Sequence, residues 1–86
     1  MKKYNVTLSN VDCIFDSRDG FDTAEEAVKF AAGRGGKYRV YVDSGNSENT
    51  IVATHYTDKG SFAVDGFDGR IFMTAANFAR YLVSML

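Results

Sequence analysis

Phe15-Asp16-Ser17-Arg18 leads through Phe21 into Thr23-Ala24, and Phe67-Asp68-Gly69-Arg70 leads through Phe72 into Thr74-Ala75. Each Thr-Ala pair opens an apolar-periodic stretch. The chain therefore spells twice, in order, a strand, an acidic turn, an arginine, an aromatic residue and a helix start. The echo is either a duplicated strand-turn-helix unit or two separate uses of one local solution.

Upstream of the first copy, Tyr4, Val6 and Leu8 alternate with Asn5, Thr7 and Ser9, which predicts a half-buried strand over 3–9. Val11, Cys13 and Phe15 continue the alternation against Asp12 and Asp16, beyond a tight turn at Ser9-Asn10. A hairpin is expected, with Cys13 pointing inward beside Val11 and Phe15. In Phe21-Asp22-Thr23-Ala24-Glu25-Glu26, either Asp22 or Thr23 can cap a helix, with a glutamate three residues on in either register. Ala24, Ala27, Val28 and Ala31 make the apolar stripe of a helix over 23–33, and Gly33-Arg34-Gly35-Gly36 supplies its C-terminal stop.

Tyr38, Val40 and Val42 alternate with Arg39, Tyr41 and Asp43 as a third strand. Residues 51–57 and 61–65 flank Asp58-Lys59-Gly60 as a second hairpin, and the register of Ile51-Val52-Ala53-Thr54 stays ambiguous. Behind Thr74, the residues Ala75, Phe78, Ala79, Leu82 and Leu86 repeat at helical spacing to the chain end. The order ββαβββα predicts an α+β fold. A mainly antiparallel sheet of about five strands would carry both helices on one face and leave the other face solvated. Alternation assigns Asn5, Thr7, Arg39, Tyr41, Thr54 and Tyr56 to that open face.

At 86 residues the chain is expected to be one domain, 1–86, and at 45% hydrophobic and 14% aromatic it is expected to fold. A net charge of −1 excludes an electrostatic partner engaged over the whole surface and leaves room for a local patch. A single cysteine, Cys13, and a single histidine, His55, are too few for an internal disulfide or a zinc site. Cys13 and His55 are formally a nucleophile and a base, but nothing in the sequence draws them together; Cys13 reads as a small buried hydrophobe, and His55 as a sheet-surface or partner-contact residue. The acidic turn of Asp16, Asp19 and Asp22 lacks calcium-loop spacing. No catalytic set, metal or cofactor is expected, nor a membrane span, and the start Met1-Lys2-Lys3-Tyr4-Asn5 lacks an apolar signal region, so a cytoplasmic location is the expectation.

Gly33-Arg34-Gly35-Gly36-Lys37-Tyr38-Arg39 gathers three cations and a ring, a pattern able to meet phosphates while Tyr38 or Tyr41 stacks on a base. Its glycines follow a helix instead of opening one, so no nucleotide-binding fingerprint is matched. The end of the second helix, Tyr81-Leu82-Val83-Ser84-Met85-Leu86, is apolar nearly all round, which marks a surface for a homodimer or a helix wedged into the core.

The N-terminal strand, the alanine-rich helix opened by Asp22-Thr23-Ala24-Glu25-Glu26-Ala27 and the short strands with polar turns resemble the small phage anti-CRISPR proteins. That resemblance implies a non-catalytic inhibitor acting by surface occlusion of a bacterial defence complex, and it carries over no functional residue. The leading expectation is therefore a small protein-binding module, not an enzyme, of the inhibitor kind that phages and mobile elements encode. Arg39, Tyr41, Tyr56, Arg34 and Lys37 are its candidate contacts. The alternative is a nucleic-acid-contacting module using Arg34, Lys37, Arg39, Tyr38 and Tyr41.

Overall fold

The computed structural model describes residues 3–45, 49–66 and 69–86. Its elements are β1 (Tyr4–Ser9), β2 (Ile14–Phe21), α1 (Ala24–Ala31), β3 (Lys37–Asp43), β4 (Thr50–Tyr56), β5 (Ser61–Gly66), β6 (Gly69–Thr74) and α2 (Ala75–Met85). The strands form one sheet in the order β2-β1-β3-β4-β5-β6, and every neighbouring pair is antiparallel. The α+β architecture with two helices is as expected, but among the described residues the sheet has six strands instead of five.

The extra strand, β6, occupies Gly69-Arg70-Ile71-Phe72-Met73-Thr74. Three apolar residues in a row hide the period of two, because an edge strand is not held to a strict inside-outside alternation. Gly69 opens the strand at φ +123°, a backbone that favours glycine. The second copy of the echo thus lies on an edge strand that feeds a helix, and so does the first, on β2. Phe67 and Asp68, quoted for the echo, lie outside the described residues.

The first hairpin corrects the sequence reading. The Asn10 side chain accepts from the backbone N–H groups of Asp12 and Cys13, each at 2.9 Å, and Asn10 N–H donates to the Cys13 carbonyl at 3.0 Å. An asparagine bonding its own neighbours in this way turns the chain, so residues 10–13 are a turn and not the start of a strand. Val11 is fully exposed at its tip, and Cys13 is exposed rather than buried. Phe15 is 41% exposed, although its edge meets the Tyr38 ring at 5.5 Å. The segment read as an acidic turn, Asp16 to Gly20, is instead edge strand, with two register shifts against β1. Charge and bulges of this kind protect a sheet edge from unwanted pairing.

Both helix starts are capped as the Thr-Ala pairs predict. Thr23 Oγ1 accepts from Glu26 N–H and Thr74 Oγ1 from Asn77 N–H, both at 3.2 Å. Asp22 leaves the cap to Thr23 and pairs with Lys3. Helix α1 buries Ala24, Ala27, Val28 and Ala31, and α2 buries Phe78, Ala79 and Leu82. Against them the sheet presents Tyr4, Val6, Leu8, Tyr38, Val40, Val42, Ile51, Ala53, Phe62 and Val64. The rings of Phe62 and Phe78 stack at 4.4 Å, which couples β5 to α2. Each fully buried Phe, Leu or Val contributes about 1.5 to 3 kcal/mol, so this single layer accounts for most of the drive to fold.

Candidate functional site

The cross-strand register sets which side chains stand together on the face opposite the helices. One row runs Ser9, Arg39, Thr54, Ala63, Phe72 across five strands, from β1 to β6. The row beside it runs Lys37, Tyr56, Ser61, Thr74, and on the other side Thr7, Tyr41 and Val52 align. These positions are out of phase with the buried Tyr38, Val40 and Val42, so the alternation expected on β3 holds.

Thr54 is small, and a shallow hollow of about 410 Å³ lies over it and the neighbouring part of β3. Lys37, Arg39, Tyr41 and Arg70 border it, and Asn10 and Val11 reach it from the β1–β2 turn. Tyr56 organises one side. Its hydroxyl accepts from Arg70 Nη1 at 2.6 Å, Lys37 Nζ lies 5.3 Å from its ring centroid, and the Phe72 ring is 6.0 Å away. A cation over an exposed tyrosine ring contributes about 0.5 to 1 kcal/mol, enough to bias where Lys37 rests. Arg70 also donates from Nε to Asp65 at 3.4 Å. The Arg39 guanidinium has no hydrogen-bond or ion-pair partner among the described residues.

Of the residues singled out in the sequence, Arg39, Tyr41, Tyr56 and Lys37 meet on this face. Arg34 does not. Its guanidinium pairs with Asp16 on β2, whose register partner is the buried Leu8, so it lies on the helix side of the sheet. The Arg34 backbone belongs to a pinned loop: Thr57 Oγ1 donates to the Arg34 and Gly36 carbonyls at 3.1 and 2.6 Å, and Gly36 takes φ +87°. The glycine run is therefore a helix exit stitched to the end of β4. Tyr38, the other ring of that segment, is buried with its hydroxyl on the Ala31 carbonyl, and burial pushes its pKa up. It offers no surface for stacking on a base. Arg70 and Phe72 were missed because β6 was not recognised as a strand, and only the strand places them on the open face.

His55 is on the helix side, not the surface. It is 3% exposed between the Tyr38 and Phe62 rings, at 5.1 and 4.7 Å. Its Nδ1 has no partner among the described residues, and burial lowers its pKa, so the ring is neutral at pH 7. Cys13, on the exposed turn, belongs to a different part of the molecule. On α2, Val83 is 54% and Met85 46% exposed, leaving apolar surface at the helix end. Among the described residues, no helix is long and apolar enough to cross a membrane, and no group of His, Cys, Asp and Glu is placed to hold a metal ion. No family model, curated protein or solved structure matches this chain.

Proposed function

We propose that the chain is a small non-catalytic protein-binding module whose contact surface is the open face of the sheet. The observation that carries this reading is the convergence of Arg39, Tyr41, Tyr56 and Lys37 on one rigid face, joined there by Arg70 and Phe72. Arginine and tyrosine are the residue types most concentrated at binding hot spots, and side chains standing on paired strands lose little freedom when a partner docks. Exposed Val52 and Phe72 supply apolar area beside the cations, the mixture found in protein interfaces. Occlusion of a bacterial defence complex by a phage-encoded inhibitor is the specific form that the resemblance to anti-CRISPR proteins adds to this proposal.

A photo-crosslinking residue in place of Tyr41 tests it, with the same residue at Lys29 on α1 as the control. The expected result is a discrete protein adduct from position 41 that excess parent protein suppresses and excess Arg39→Ala protein does not. Equal adducts from both positions, or suppression by the variant as strong as by the parent, would overturn the sheet-face reading.

A nucleic-acid reading is favoured by one observation, the three cations Lys37, Arg39 and Arg70 around a single hollow. Phosphate-driven binding falls steeply with salt, whereas a mixed apolar and polar protein interface responds less.

A further inference from the structure

The three cations of the open face are held in different ways. Lys37 rests over the Tyr56 ring, Arg70 is tied to the Tyr56 hydroxyl, and Arg39 is free of polar partners among the described residues. The residues lining the hollow include these three cations and no carboxylate, and the Asp65 carboxylate meets Arg70 from outside that lining at a long 3.4 Å with a side chain 86% exposed. A pair that open to water offsets little charge, so the hollow keeps a net positive field. Thr54, which lines the hollow between Arg39 and Arg70, is uncharged and small enough to let an incoming group settle among the cations.

The rings distinguish between anions. A nucleic-acid strand needs successive free ring faces on which bases stack. Here Lys37 already covers Tyr56, Tyr41 is half-buried, and Phe72, at 56% exposed, is the ring left broadly open. The exposed residues at the margins of the face, Val11, Ile14 and Val52, are aliphatic and β-branched, and they match apolar side chains better than they match bases. We infer that the hollow between Lys37, Arg39 and Arg70 receives an acidic segment of a protein partner, in which carboxylates are interspersed with apolar residues. A guanidinium without a partner presents its N–H fork to both oxygens of a carboxylate, and Arg39 is the residue placed to do so. The inference rests on the sheet-face reading and adds the chemistry of the partner.

The test is an NMR titration of the isotope-labelled protein with three probes: a short synthetic peptide of Asp, Glu and Leu, its Asn and Gln counterpart, and an oligothymidylate. The acidic peptide is expected to move the amide signals of Arg39, Thr54 and Arg70, and its affinity to fall about tenfold between about 50 and 300 mM salt. Arg39→Gln and Arg70→Gln should each weaken it about tenfold while the spectrum stays that of a folded protein, and the amide counterpart should leave the signals in place. Tighter binding of the oligothymidylate than of the acidic peptide would assign the hollow to phosphates and overturn the inference. So would an acidic peptide that moves no signal on this face. If that happens while the Tyr41 crosslink persists, only the acidic-segment inference fails; if the crosslink is lost as well, the sheet-face reading fails with it.

Discussion

Arg70 on β6 donates from Nη1 to the Tyr56 hydroxyl on β4 at 2.6 Å, reaching across β5. The bond ties the edge strand to the middle of the sheet and holds the Tyr56 ring where Lys37 and Phe72 meet it. It is a surface contact, so its effect on stability is modest and its effect on the shape of the face is larger. Tyr56→Phe should cost about 0.5 to 1 kcal/mol in urea denaturation, because it removes one hydrogen bond to a charged donor that water partly replaces. A loss above about 3 kcal/mol would mean that the pair supports the core and not only the surface.

His55 should make the fold sensitive to acid. Burial favours its neutral form, so its pKa is lowered in the folded protein. The unfolded chain, with an imidazole near the usual value of about 6.5, takes up the proton first. Stability from this group is therefore complete above about pH 6.5 and is lost as pH falls towards the folded value. The groups against the ring, Tyr38 and Phe62, are uncharged across that range. Urea midpoints measured from pH 7.5 down to 5 should fall less steeply for His55→Phe than for the parent. Parallel curves would mean that His55 is not a source of acid sensitivity.

Cys13 should react rapidly with a thiol reagent in the native protein, since the Asn10 turn leaves it exposed. Cys13→Ser should change stability by less than about 0.5 kcal/mol, as expected of a surface site. Slow labelling in the folded state, or a loss of more than about 1 kcal/mol, would restore the buried reading.

Thr23→Ala and Thr74→Ala should each cost about 0.5 to 2 kcal/mol, because each hydroxyl accepts from an N–H that the first helical turn leaves unpaired. Asp22 is adjacent to Thr23 and can take over part of its role, so the larger loss is expected at Thr74. Negligible losses at both sites in chemical denaturation would remove the caps as a reason for these helix starts.

Local patterns made most of the fold legible. Tyr38, Val40 and Val42 alternate cleanly with Arg39 and Tyr41 because β3 lies inside the sheet, with its core-facing residues fully covered. The Thr-Ala starts are explicit because capping chemistry is local. The edges were less legible. In β2 the alternation of Val11, Cys13 and Phe15 pointed to a strand, but the Asn10 side chain bends that segment into a turn, and a polar run from Asp16 to Gly20 pairs in its place. In β6, three consecutive apolar residues gave no period to read. The candidate site was legible where it rests on alternation, in Arg39, Tyr41 and Tyr56. It was not legible where it depends on pairing between distant strands, as with Arg70 and Phe72. Arg34, grouped with Lys37 by proximity in sequence, is separated from it because the chain leaves the helix side of the sheet between the two.

Two exposed surfaces compete for the proposed contact, the open sheet face and the apolar end of α2. The most direct test is the affinity for the captured partner of Arg39→Ala and Tyr41→Ala, set against Val83→Ala and Met85→Ala, by calorimetry on variants of verified fold. A loss of about 2 kcal/mol is expected for each sheet-face variant, a factor of roughly thirty in Kd, with little change for the two helix variants. Unchanged affinity for Arg39→Ala and Tyr41→Ala, with the loss falling on Val83→Ala and Met85→Ala instead, would contradict the sheet-face reading and move the contact to α2.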